Sequence, residues 1–157
     1  MLELKGEFEC KLDGKNRLVF PAGLKKQLPL TSAKKFVINR GFEQCLGLYT
    51  VEAWETIIKE IKKLSRYKKD ARNFLRYFYR GATEIELDGT NRLLLPKSLL
   101  KYAGIEKEVL VFAYLDRIEI WDKNKYETLI TDEPEGYADL AEKVLGNIEL
   151  LTDEDIS

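Results

Sequence analysis

A ten-residue segment occurs twice in this chain of 157 residues, and the duplication constrains the fold more than any other sequence feature. The first copy reads LDGKNRLVFP at residues 12–21, and the second reads LDGTNRLLLP at residues 87–96. Farther along, YTVEAWETI from Tyr49 is similar to WDKNKYETL from Trp121. The repeat covers about fifty residues per copy, so we predict two copies of one small unit and not a solenoid.

Each copy presents the same order of local signals. EFECKL and TEIEL alternate polar and apolar residues, which is typical of half-buried strands. RLVF and RLLL are interpreted as the return strands of a hairpin, and the prolines that follow suit the first turn of a short helix, which ends near Gly104 in the second copy. Two further strands then form a second hairpin. The predicted unit is therefore β-loop-β-α-β-β.

An Asp-Gly pair stands at the first turn of each copy. Asp can bond nearby backbone amides and Gly accepts a positive φ, so we assign the shaping of the two loops to Asp13, Gly14, Asp88 and Gly89. Asn also tolerates left-handed geometry, and one Asn follows in each loop. The four residues Asp-Gly-Lys-Asn are thus interpreted as a hairpin loop.

The domain organisation follows from the repeat. We assign residues 5–52 to the first repeat, 53–80 to a helical insert, 81–124 to the second repeat, and 125–157 to a C-terminal helix and acidic tail. Asp70 is expected to cap the second helix of the insert. Four short strands per unit are too few to bury an independent core. We therefore predict an α+β fold in which both units form one closed, pseudo-two-fold β-barrel core.

The charge is distributed unevenly along the chain. The formal net charge is −1, but residues 1–80 carry 18 Lys and Arg against 9 Asp and Glu, a net of +9. Residues 81–157 carry 8 against 18, a net of −10. Such a division favours a basic face for a polyanion, although charge runs also occur as solvated surface. Charge alone leaves both interpretations open.

The residue inventory excludes several classes of function. The chain has no His, which excludes Ser-His-Asp and Cys-His catalysis and every His-containing metal site. Glycine-rich phosphate loops are absent, and Cys10 and Cys45 form no CxxC pattern. Asp13 and Asp88 could act as paired carboxylates, but a carboxylate before Gly is more often a turn former. We predict no enzyme, no cofactor, no metal and no small-molecule substrate.

The sequence contains no targeting or membrane signal. The segment MLELKGEFEC lacks the basic start, apolar stretch and cleavage site of a signal peptide. No apolar run approaches the roughly 18 residues of a membrane span. We therefore expect a cytoplasmic protein without a membrane partner.

The doubled loop is better suited to binding than to catalysis. It places hydrogen-bond donors beside each turn, and we predict that the DNA-binding residues are Lys15, Asn16, Arg17, Asn91 and Arg92. Arg can pair with guanine O6 and N7, and a two-stranded ribbon fits the major groove. Alternatively, the Asp and Arg of each loop form an ion pair that only fixes the loop. Both roles can hold together.

Several segments together resemble the MraZ family: DGKNRLVFP, DGTNRLLLP, LGLYTVEAWE, RYFYRGATE and IEIWDKNKYE. The similarity extends over residues 1–130. It implies two AbrB-like swapped-hairpin units in one chain, each with a D-x-x-x-R loop. It also implies a nucleoid-associated transcription factor of the bacterial division and cell-wall gene cluster. Such a factor binds direct repeats in its own promoter as a ring of identical subunits.

The chain departs from the family pattern in two ways, although Lys15 matches the basic residue common in the first loop. The family often has Gly immediately before the Arg, where this chain has Asn16 and Asn91. Thr90 supplies no charge where the first loop has Lys15. We therefore expect the second loop to bind DNA more weakly or to support assembly. The alternative function is a structural or protein-interaction module, including an antitoxin-like one.

Overall fold

The computed structural model describes residues 2–130 and 134–146. Its strands are β1 (Leu4–Lys11), β2 (Arg17–Val19), β3 (Lys35–Arg40), β4 (Leu46–Thr50), β5 (Thr83–Glu86), β6 (Arg92–Leu94), β7 (Glu108–Leu115) and β8 (Arg117–Asp122). Its helices are α1 (Ala22–Lys25), α2 (Val51–Ile61), α3 (Lys69–Tyr79), α4 (Lys97–Ala103), α5 (Lys123–Leu129) and α6 (Pro134–Leu145), with one 3-10 turn at Leu30–Ser32. None of these helices is long and apolar enough to cross a membrane.

The chain divides into two compact units. The first comprises residues 1–126 and contains all the described strands, and the second comprises residues 127–157 and contains α6. The order β-β-α-β-β occurs twice in the first unit, which confirms the predicted order of elements within each copy. The predicted acidic end at residues 147–157 lies outside the described residues.

Six strands form one antiparallel sheet in the order β1-β7-β8-β4-β3-β5. The sheet is open, with β1 and β5 at its two edges, so the predicted closed barrel is wrong. The physical reason is that β2 and β6, with three residues each, pair with one another. They form a separate two-stranded ribbon and do not bridge the two edges of the sheet.

The two repeats exchange their first strands. β1 pairs with β7 of the second repeat over all eight residues, and β5 pairs with β3 of the first repeat. The predicted hairpin is confirmed at its loop, where the Asp13 amide bonds the Arg17 carbonyl at 3.0 Å and a bridge joins Leu12 to Leu18, but β1 pairs with β7 and does not pair along β2. β1 gains more backbone hydrogen bonds along β7 than the three-residue return strand could offer.

The pairing has pseudo-two-fold symmetry. In the ribbon, Leu18 faces Leu93, and Arg17 and Arg92 stand on either side of that centre, each opposite an apolar residue of the other strand. In the sheet, Gly47 of β4 lies opposite Glu119 of β8, and the residues on either side of this pair are matched in the same way. Both centres relate equivalent positions of the two repeats, so the duplication of the sequence becomes a duplication in space.

The main core lies between the sheet and the layer formed by the ribbon, α1 and α4. Its largest fully buried side chains are Phe36, Leu18, Leu24, Ile38, Leu46, Leu48, Leu93, Leu95, Leu99, Ile118, Ile120 and Val109. Each such side chain contributes about 1.5–3 kcal/mol through burial. Leucines of both ribbon strands are members of this one core, so the ribbon is anchored to the sheet by both repeats.

The helical insert covers the other face of the sheet with aromatic side chains. Trp54 of α2 stacks on Phe78 of α3 at a centroid distance of 5.2 Å, and Trp54 also contacts Tyr49 of β4 at 5.6 Å. Phe78 is buried, and Phe74 stacks on it at 5.6 Å. These contacts fix which side of α3 faces the sheet.

The helix ends follow local chemistry, with one exception. Gly104 ends α4 at φ +65°, as predicted, and its amide bonds the carbonyls of Leu100 and Lys101. The hydroxyl of Thr50 accepts a hydrogen bond from the Ala53 amide at the start of α2. Asp70 does not cap α3, contrary to our prediction, because the helix begins at Lys69, two residues before the start that an Asp70 cap would set.

We expect the first unit to unfold in one cooperative transition, because each repeat supplies the pairing partner for the other's edge strand. Fragments 1–80 and 81–157 should each be largely unfolded alone, and mixing them should restore the circular dichroism of the whole chain. Two separate transitions in a denaturant titration, or a native spectrum from either fragment alone, would contradict this.

Candidate nucleic-acid interface

The first loop is organised around the carboxylate of Asp13. Its Oδ1 accepts hydrogen bonds from the backbone amides of Lys15 and Arg17, each at 2.9 Å. Its Oδ2 accepts a bond from Nε of Arg17 at 2.7 Å. The Asp13 amide donates to the Arg17 carbonyl at 3.0 Å, which closes the loop. One side chain therefore holds both the backbone and the arginine.

The second loop repeats this arrangement around Asp88. Oδ1 accepts from the amides of Thr90 and Arg92 at 2.9 Å, and Oδ2 accepts from Nε of Arg92 at 2.9 Å. The Thr90 hydroxyl also donates to Oδ1 at 3.0 Å. Both Thr90 and Lys15 are exposed, but the Thr90 side chain is bonded within its loop, whereas Lys15 bonds Asp13 through its backbone amide. The Asp–Arg ion pairs considered from the sequence are present in both loops.

The left-handed residue of each loop is the Asn before the Arg. Asn16 has φ +62° and Asn91 has φ +60°, whereas neither Gly14 nor Gly89 has a positive φ. A Cβ added at either glycine would meet no atom within 4 Å. The expectation that the glycines supply the left-handed conformation is wrong, whereas Asn, which was also expected to tolerate it, adopts it. The reason is local: the amide of each Asn closes a turn on the carbonyl of the loop Asp at 3.1 Å, and the left-handed residue stands at the end of that turn and not at its centre. Asn is among the few L-residues that adopt this conformation readily.

The hydrogen bonds stabilise the ionised form of both carboxylates. The amide of Arg17 is the main cause that lowers the pKa of Asp13, and partial desolvation opposes it. The amide of Arg92 is likewise the main cause that lowers the pKa of Asp88 to about 2. Both groups are therefore charged at neutral pH and hold their arginines electrostatically as well as geometrically.

The exchanged ribbon brings the two loops together. Nη1 of Arg92 lies 3.9 Å from Oδ2 of Asp13, so an arginine of one repeat reaches the acid of the other. The ribbon also ties each loop to the opposite strand, because Phe20 donates its amide to the Asn91 carbonyl and Leu95 donates to that of Asn16. All five predicted DNA-binding residues therefore lie on or beside one short ribbon.

Sequence reasoning missed three residues at this surface. Val19 and Leu94 are 58% and 60% exposed, and they alternate along the ribbon strands with the buried leucines and the arginines. Lys25 of α1 donates from Nζ to Oδ1 of Asn91 in the other repeat. The exposed positions could have been found from the alternation of RLV and RLL, but the contact of Lys25 depends on the exchange.

Comparison with known proteins agrees with the duplication. The family model described as "MraZ protein, putative antitoxin-like" matches residues 4–77 and again residues 78–146. A relative from Christiangramia forsetii, named "Transcriptional regulator MraZ", is 45% identical over 148 residues, which are 94% of this chain and 96% of the relative. Relatives of the same name from Flavobacterium psychrophilum and Cytophaga hutchinsonii are 43% identical over 149 residues and 39% identical over 140.

These alignments cover nearly the whole of each protein. The two latter relatives align over 94% and 89% of this chain, and over 95% and 93% of their own lengths. Each of the two family matches contains one D-x-x-x-R loop, at residues 13–17 and 88–92. The resemblance inferred from the motifs is confirmed, and the chain belongs to the MraZ family.

Proposed function

We propose that this protein is a sequence-specific DNA-binding transcriptional regulator whose β2–β6 ribbon and flanking loops enter the major groove. The observation that carries the proposal is the proximity of the two loops, in which Arg92 reaches to 3.9 Å from the carboxylate of Asp13. Two arginines, each oriented by a charged acid, lie on one exposed ribbon. A two-stranded ribbon has the dimensions that the major groove of B-DNA admits.

The arginines suit direct base recognition. Each is bound to its own loop aspartate through Nε, and Nη1 of Arg92 also lies near Asp13, so the other terminal nitrogens are left to approach guanine O6 and N7. Their side chains are about one third exposed or less, at 28% for Arg17 and 30% for Arg92. A guanidinium held in this way loses less conformational entropy on binding than a free one.

The remaining residues of the ribbon have complementary roles in the proposal. Lys15 adds an exposed cation for a phosphate in the first loop, where Thr90 of the second loop bonds Asp88 instead. Asn16 and Asn91 adopt the left-handed conformation of each turn and offer side-chain amide groups to phosphates or bases. Val19 and Leu94 are placed to contact thymine methyl groups. The first loop therefore contributes more binding than the second.

We further propose a homo-oligomeric ring that binds direct repeats in the promoter of its own division and cell-wall gene cluster, in the nucleoid. The resemblance to the family supports the promoter and the ring. The two repeats differ in sequence, so head-to-tail contact between unlike surfaces can close a ring. A cavity of about 340 Å³ lined by Phe42, Phe74 and Tyr77 is a candidate contact, because aromatic side chains anchor interfaces.

A non-enzymatic role fits the chemistry of the side chains. Burial raises the pKa of Cys10 to about 11, and burial raises that of Cys45 further, so neither thiol is a ready nucleophile at neutral pH. The second candidate is an antitoxin-like interaction module, which the description of the family model favours. That role predicts no salt-dependent binding of promoter DNA by the loops.

Arg17→Ala should weaken binding to the DNA upstream of the protein's own gene by about 1–3 kcal/mol and relax sequence preference, if the arginine holds a guanine. Arg92→Ala should reduce the binding free energy by less than Arg17→Ala does. Lys15→Ala should weaken the binding of promoter and shuffled DNA equally. It should also make the slope of log affinity against log salt concentration shallower by about one unit, because it removes one phosphate contact. The measurement is fluorescence anisotropy on promoter and shuffled duplexes over a range of salt. Unchanged affinity of Arg17→Ala, with oligomer mass intact, would refute the role of the first loop.

Asp13→Ala should weaken promoter binding on the order of tenfold, although it removes a negative charge from a DNA-binding surface. The reason is that Asp13 holds two loop amides and the guanidinium of Arg17. Asp13→Asn, which keeps an oxygen for the amides but no charge, should lie between the wild type and Asp13→Ala. Tighter binding of both variants would mean that the carboxylate only repels DNA.

The protein should have a mass that is a multiple of the 18.2 kDa protomer in light scattering at micromolar concentration. The double variant Phe42→Ala/Tyr77→Ala should reduce that mass, because these side chains are 72% and 64% exposed at the proposed contact. Tyr67→Ala, at a site that is 96% exposed elsewhere in the insert, is the control and should leave the mass unchanged. A monomeric wild type would exclude the ring.

A further inference from the structure

The exposed face of α3 carries a line of cations. Lys69, Arg72 and Arg76 of α3 and Arg80, its C-cap residue, follow one another at intervals of three, four and four residues, which places them on one side of the helix. All four are exposed. At about 1.5 Å per residue they span roughly 16 Å along the helix axis. The stacking of Phe74 and Phe78 on the other side turns this line away from the sheet.

The surrounding segment is also strongly basic. Residues 59–80 contain nine Lys and Arg against two acids, Glu60 and Asp70, which is a net charge of +7. Glu60 forms an ion pair with Lys63 at 3.2 Å, and both side chains are more than 70% exposed. Asp70 lies about 100° around the helix from Lys69, so no acid interrupts the line. The surface resembles a continuous strip of positive charge.

This arrangement opposes the stability of the helix itself. Arg72 and Arg76, and Arg76 and Arg80, are like charges at i,i+4, which repel one another. α3 begins after Lys68 without a side-chain cap, and Lys69 stands at its first position, where the helix dipole disfavours a cation. Asp70 in the first turn of α3 and Arg76 in its last turn do suit the dipole, as Glu52 and Lys59 do in α2, but α2 also has the Thr50 cap that α3 lacks.

We propose that this face of α3 is a second DNA-binding surface, which holds the phosphate backbone of a duplex without reading its sequence. A linear polyanion relieves the repulsion within the line, and departures from local helix rules concentrate at functional sites. A protein partner fits less well, because protein interfaces are anchored by apolar side chains at a core depleted of charged residues, whereas this line consists of cations alone. The inference rests on the DNA-binding function proposed above and adds affinity to the specificity of the ribbon.

The test compares two triple variants of the full chain. Lys69→Gln/Arg76→Gln/Arg80→Gln neutralises the line and spares Arg72, whose Nη1 bonds the carbonyls of Arg66 and Tyr67 at 3.0 and 2.8 Å. The control neutralises three exposed lysines outside both surfaces, Lys5, Lys26 and Lys101, with the same change of net charge. Anisotropy is measured on promoter and shuffled duplexes of equal length over about 50–200 mM salt.

The α3 variant should bind both duplexes on the order of tenfold more weakly at low salt, with a salt slope shallower by about two to three units, since each lost phosphate contact accounts for about 0.9. The ratio of promoter to shuffled affinity should stay constant. Without DNA, its melting temperature should equal or exceed that of the wild type, because the like charges are gone. The control should change the slope by less than about one unit.

Two results would overturn the inference and leave the ribbon's function standing. One is an α3 variant that matches the control while Arg17→Ala still lowers the promoter preference. The other is an α3 variant whose oligomer mass falls with unchanged DNA affinity, which would assign the line to an acidic surface of a second copy. If the wild type binds neither duplex, the proposed function and this inference both fail.

Discussion

Leu18 and Leu93 face each other at the centre of the ribbon and are buried in the core beneath it, and most of the architecture follows from this contact. Because β2 and β6 pair across the repeats, each loop is positioned by the other repeat's strand. The edge strands β1 and β5 then find their partners in the opposite repeat as well. Burial of these leucines thus couples the stability of the sheet to the geometry of the binding surface.

The loops also restrict the movement of the arginines that they expose. A carboxylate that accepts two backbone amides and one guanidinium nitrogen fixes the turn and the side chain together. The lowered pKa of Asp88 and Asp13 shows that the charged form is the one being stabilised. The same acid also reduces the net positive charge of the surface, so affinity for DNA has to come partly from other cations.

This balance gives the basic face of α3 a physical rationale. The ribbon combines arginines with aspartates, whereas the line of cations on α3 has no acid on its side of the helix. Recognition and long-range attraction are then divided between two elements of the same unit in our proposals. The division also accounts for the uneven charge of the chain, because the first 80 residues include the first loop and the whole of α3.

The sequence by itself determined the duplication, the order of elements in each copy, the Asp–Arg loops and the Gly104 helix end, because these depend on local periodicity and turn chemistry. The motifs were also sufficient to find the family. Tertiary structure decided which strands pair and that the sheet stays open. It also placed Lys25 against Asn91. Such contacts depend on burial between residues far apart in the chain. Local sequence patterns do not specify which of these distant residues lie opposite one another.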